Sequence, residues 1–201
     1  NWVFVPYARP GLPLTLSMKA VMSQDDADVL ILENHGLVVG GASVSEIDTL
    51  LANICKRCSS PARKVPPPNI VILENLIRNS VYRLPKDSLC HTLATDPNVC
   101  KKAQAGSLYP DHVVFLGHGI ATHDESCDLP DGILAPMALA LPGIGVVVRR
   151  DIPKGAEAML KCLAEVLLQV PDGAPLSYLT LQQESELLDW DAEKIRQNMN
   201  C

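Results

Sequence analysis

Pro66-Pro67-Pro68 is the feature that most constrains this sequence. Three prolines in a row give no amide hydrogen to a helix or a ladder and fix φ, so regular structure must stop there and begin again. Ser59-Ser60-Pro61 just upstream ends the periodic segment before it. A boundary near residue 65 follows, with two expected parts, residues 1–65 and 66–201. A chain of 201 residues with 47% hydrophobic content can bury one good core or two small ones.

In the first part, Trp2-Val3-Phe4-Val5 has strand composition, and Asn1 is not an initiator Met, so the expectation is a chain that starts inside a fold. Leu14, Met18, Val21 and Met22 recur at helical spacing after Pro13, a first-turn proline. Val29-Leu30-Ile31-Leu32 and Leu37-Val38-Val39 flank Asn34-His35-Gly36 and predict a buried hairpin. Ser43-Val44-Ser45-Glu46 reads as a capping box opening a helix that carries Ile47, Leu50, Leu51, Ile54 and Cys58 on one face.

In the second part, residues 71–82 read as helix, residues 113–116 and 144–148 as strands, and residues 155–170 as a helix with Met159, Leu160, Leu163, Val166 and Leu167 as its buried stripe. A helical tail over residues 178–200 offers Leu181, Leu187, Leu188 and Trp190 for docking. Strand, crossover, strand and helix make a small α/β unit.

A net charge of -6 without a dense basic cluster argues against a phosphate-backbone footprint, so nucleic acid is not an expected partner. The longest apolar run, residues 133–148, is shorter than a membrane span of roughly 20 residues and is interrupted by Pro136, Pro142, Gly143 and Gly145. No secretory signal pattern opens the chain. Seven cysteines without a framework fit a reducing cytoplasm.

The stretch from Leu30 to Gly41 holds a polar Asn34-His35-Gly36 between two apolar strands. Strands on both sides would position the imidazole, and Gly36 allows a sharp turn or close approach of a ligand, as a metal ligand at a strand end requires. The same pattern also suits a hydrogen-bonded turn histidine.

This stretch resembles the strand-His-Gly-Leu segment of the class II aldolase/adducin superfamily. Val5-Pro6-Tyr7-Ala8-Arg9-Pro10 resembles the run leading into that histidine. Residues 106–115 (GSLYPDHVVF) and 188–194 (LDWDAEK) resemble the extended branch, which includes the aldolase domains of bifunctional rhamnulose-1-phosphate aldolase/dehydrogenase type proteins.

The resemblance implies a three-layer α/β/α sandwich, incomplete at its N-terminus, followed by a small C-terminal α/β unit. It further implies a site for Zn2+ or another divalent metal held by three histidines, of which His35 matches the last; retro-aldol cleavage of a phosphorylated sugar; and a homo-oligomer, a tetramer in many members. The family's His-X-His pair and acid/base glutamate lie upstream of the matched region, so no catalytic residue and no complete site are expected in this chain. Tyr7, Arg9, Asn34 and Gly36 are the candidate substrate contacts. A non-catalytic, adducin-like assembly module is the alternative.

Three other candidates stand beside His35. His112, His118 and His123, with Asp111 and Asp124, could form a second metal cluster, or else His112 pairs at a strand start and the other two are surface residues. Gly117-His118-Gly119 could approach a phosphate but lacks a following helix start. Cys55-Lys56-Arg57-Cys58 has CxxC spacing at a helix end, which suits one buried and one exposed structural cysteine better than a redox pair.

Overall fold

The computed structural model describes residues 1–23, 26–61, 63–132 and 134–188. It is an α/β protein that divides into two compact units, one ending at Ser60 and the other beginning at Pro61.

The first unit is built on a three-stranded sheet. β1 (Trp2–Val5) runs parallel to β2 (Val29–Leu32), which pairs antiparallel with β3 (Gly36–Val39). Helix α1 (Leu12–Met22), with Pro13 in its first turn, connects β1 to β2. Successive strand residues point to opposite faces. Val3, Val5, Leu30 and Leu32 therefore share one face, where they pack with Leu14, Met18 and Val21 of α1.

Helix α2 (Val44–Cys58) covers part of the other face, where the Arg57 guanidinium lies 4.9 Å from the centre of the Trp2 ring. Its start follows the expected capping chemistry: Ser43 Oγ accepts from the Glu46 amide at 3.3 Å and the Glu46 carboxylate accepts from the Ala42 amide at 2.8 Å.

Two expectations fail in this unit. The hairpin is buried only along β2, because β3 is an edge strand whose Leu37 and Val38 remain exposed. On α2 only Ile54 is buried, and Leu51 and Cys58 are exposed.

The second unit has a four-stranded mixed sheet in the order β4 (Tyr82–Arg83), β7 (Gly145–Arg149), β6 (Ala138–Leu141), β5 (Ala121–Thr122). The apolar run 133–148 is thus largely the β6–β7 hairpin, turned at Pro142-Gly143. Among the described residues no helix is long and apolar enough to cross a membrane.

Alternation along β6 and β7 serves two cores. Leu139, Leu141 and Val147 pack with Leu73 of α3 (Ile70–Ile77) and with Tyr82, while Ala138, Ala140, Val146 and Val148 face the main core. That core is roofed by α4 (Thr92–Thr95), α5 (Pro97–Gln104) and α7 (Lys154–Gln169), which contributes Leu160, Leu163 and Leu167. Val166 of the expected stripe is exposed.

Residues 113–116 belong to a helix, α6 (Pro110–Leu116), and not to the expected strand. Val113-Val114-Phe115 has strand composition, but Pro110 presets helical φ at the first turn and the segment packs on α7 and on α8 (Leu181–Leu188). Residues 71–82 are helical only to Ile77, and Tyr82 lies in β4. In the tail, Leu187 of α8 is fully buried while Leu181 and Leu188 are exposed. Trp190 and the tail motif beyond Leu188 lie outside the described residues.

Candidate functional site

Leu32 pairs with Gly36, so residues 33–35 form the turn between β2 and β3. Asn34 takes a left-handed φ of 55°, a conformation Asn tolerates better than most residues, and Gly36 sits at φ 137°. The His35 amide closes the turn by donating to the Leu32 carbonyl at 3.1 Å. The imidazole is exposed, and a Cβ built on Gly36 meets nothing within 4 Å, so the space beside it is open.

Glu33 is part of this turn. Its amide donates to the Val5 carbonyl at 3.0 Å and its Oε2 accepts from the Tyr7 amide at 2.9 Å. The carboxylate thereby ties the segment after β1 to the turn after β2. Tyr7, Asn34, His35 and Gly36 gather at the carboxyl ends of the parallel pair β1–β2, and the half-buried Arg9 follows two residues after Tyr7. The carboxyl end of parallel strands is where ligands bind in open α/β sheets.

The donor set is nevertheless incomplete. A catalytic zinc takes three protein ligands and keeps one position open. The turn supplies one imidazole, and among the described residues no group of three His, Cys, Asp or Glu side chains could hold an ion. Among the described residues His35 is therefore a single candidate ligand.

Three of the other four histidines, the ones grouped as a possible cluster, stand in separate environments. His112 lies in α6, fully buried, with Nδ1 accepting from the Leu108 amide at 3.3 Å and its ring 5.7 Å from that of Tyr109. Desolvation pushes its pKa down to about 4, so it is a neutral core residue and not a strand-start partner.

His118 is half exposed and its Nδ1 lies 2.7 Å from Oε2 of the buried Glu184 on α8. His123 turns its Nε2 to the Cys127 carbonyl at 3.3 Å and lines a cleft of about 390 Å³ with Asp124 and Glu125. Cys55 and Cys58 are both exposed free thiols, which corrects the expectation that one is buried.

His118 is held by its neighbours. Gly119 has φ 60°, and a Cβ there would lie 2.8 Å from the Gln104 carbonyl oxygen and 3.0 Å from that of Ala103. Gly119→Ala is expected to lower stability by about 1–3 kcal/mol through left-handed strain and backbone overlap. Gly117→Ala, with a similar φ of 81° but open space, should lose less. Urea midpoints compare them, and equal losses would show that the close approach is unimportant.

Sequence reasoning missed Glu184. Its helix start was legible, because Thr180 and Gln183 cap each other reciprocally at 3.3 and 2.7 Å. Nothing local says that Glu184 turns inward to a histidine 66 residues earlier. No family model matches this sequence, and no curated protein or solved structure matches it.

Proposed function

We propose that the first unit is the metal-presenting part of a class II aldolase/adducin-type α/β/α sandwich, and that the protein is a divalent-metal lyase acting on a phosphorylated sugar. The observation that carries the reading is the exposed His35, fixed in a tight turn at the carboxyl ends of β1 and β2 beside the open space at Gly36. Helices on both faces of the sheet agree with a three-layer sandwich.

In this reading His35 would hold Zn2+ or a similar ion, which would supply the Lewis acidity for retro-aldol cleavage. In the family the chain resembles, the other ligands and the acid/base carboxylate lie upstream of the matched region. Glu33 holds the Tyr7 segment against the turn, and Tyr7, Arg9, Asn34 and Gly36 line the approach for substrate. The free thiols suit a reducing cytoplasm, and a homo-oligomer, a tetramer as in many family members, completes the proposal.

An adducin-like assembly role is the second reading. Retro-aldol turnover of a panel of ketose 1-phosphates, assayed with Zn2+, Co2+ or Mn2+ present, separates the two. The lyase reading predicts turnover that falls at least about 100-fold in His35→Ala, more than typical losses from residues behind the ligands. No turnover with any metal, or equal turnover in the variant, rejects it.

A further inference from the structure

The sheet of the first unit has an open edge at β3. It is the last strand of that sheet, and among the described residues no strand other than β2 pairs with it. The Gly40 amide donates to the Asp28 carbonyl at 2.8 Å, which sets the phase of the β2–β3 ladder. Gly36 and Val38 turn their backbone groups inward to Leu32 and Leu30, and Leu37 and Val39 turn theirs outward. Outward-facing amides and carbonyls therefore line the edge, beside the Leu37 and Val38 side chains, which are 42% and 38% exposed.

Native edge strands are protected by shortness, charge, proline or a bulge. The edges of the second sheet, β4 and β5, have two residues each. β1, the other edge of the first sheet, is followed at once by Pro6 and has the Arg57 guanidinium over Trp2. β3 has none of these devices. Residues 36–45 contain no charged residue and no proline, the register with β2 is unbroken, and a Cβ built on Gly36 or Gly40 meets nothing within 4 Å.

The edge is complementary to itself. When two copies of β3 run antiparallel about a two-fold axis at Val38, Leu37 of each lies opposite Val39 of the other, and each such pair exchanges two hydrogen bonds. No other two-fold register pairs both outward residues within the strand. The apolar row Phe4–Ile31–Leu37, on the face away from α1, then continues into Val39, Val29 and Trp2 of the second copy. With no charge in residues 36–45, the pairing puts no like charges opposite each other along the strands.

We infer that β3 is a homodimer interface, through which two copies of this chain join their three-stranded sheets into one of six strands. This names a face for the homo-oligomer of the reading above and rests on no metal at His35. A four-residue strand pair belongs with the smaller interfaces, below about 1,200 Å² in total, so association in the micromolar range is expected.

On this axis Val38 faces Val38 of the second copy, so charge at that exposed position tests the register. Sedimentation velocity of the whole chain, from low micromolar to near-millimolar concentration, should show a monomer–dimer equilibrium. Val38→Lys and Val38→Glu each set like charges face to face and should weaken dimerisation at least about 10-fold, with circular dichroism showing each variant folded. An equimolar mixture of the two should dimerise again, because ammonium then faces carboxylate. Co2+ binding by the same samples reads the metal at His35 separately. A wild type that stays monomeric, association unchanged in both variants, or a mixture no tighter than either variant alone overturns the inference.

Discussion

Replacing Glu157 with Ala is expected to destabilise the second unit by about 3–5 kcal/mol, the usual cost of removing one partner from a buried ion pair. Glu157, in the first turn of α7, accepts from Arg83 Nη1 at 2.8 Å and Nη2 at 2.9 Å, and from the Lys86 amide at 2.8 Å. Its carboxylate is 9% exposed and the Arg83 side chain 24%, so water cannot fully replace the lost partner.

The bidentate pair also pins the short edge strand β4 to α7, joining segments 74 residues apart. Glu157→Gln keeps the shape and loses the charge, and should fall between wild type and Ala. Glu165→Ala, at an exposed pair with Lys161, should change stability by no more than about 1 kcal/mol.

The same pair predicts acid sensitivity. The Arg83 guanidinium, then the Lys86 amide, hold the Glu157 pKa below its ordinary 4.5. A carboxyl whose folded pKa is depressed contributes stability in full above its unfolded value, and the contribution disappears as pH falls through the folded value. Wild type should therefore lose stability below pH 4.5 more steeply than Glu157→Gln. Urea midpoints measured from neutral pH downward check this, and parallel curves would remove the pair from the account.

Leu160→Ala should cost about 2–5 kcal/mol. Leu160 is fully buried in the core formed by α4, α5 and α7 over one face of β6 and β7, among Leu163, Leu167, Val146 and Val148. Close packing leaves little room for collapse around the deleted atoms, so a cavity term adds to the lost transfer energy. Val166, on the same helix but 37% exposed, should tolerate Ala within about 0.5 kcal/mol. Similar losses at both positions would mean that the stripe on α7 is misassigned.

These contrasts show what the sequence made legible. The β2–β3 hairpin and the start of α2 could be read because their signals are local: β-branched runs around Asn34-His35-Gly36, and Ser43 three residues before Glu46. Helix α5 carries a signal of the same kind, Asp96 capping the helix ahead of Pro97.

Helix α6 was misread because Val113-Val114-Phe115 favours a strand until α7 and α8 pack against it. The pairs Arg83–Glu157 and His118–Glu184 were beyond reading, since nothing in one stretch of chain names a partner 74 or 66 residues away. At the candidate metal site the sequence located His35 and its neighbours, but not the tie from the Glu33 carboxylate to the Tyr7 amide across 26 residues.

The central claim, that His35 is a metal ligand, is tested most directly by loading the protein with Co2+ and recording its absorption alongside metal stoichiometry. The account predicts a single site per chain with imidazole and oxygen ligands and no thiolate charge-transfer band, lost in His35→Ala and retained in the Cys55→Ser/Cys58→Ser double variant. Metal retained in His35→Ala, or lost with the two cysteines instead, would contradict it.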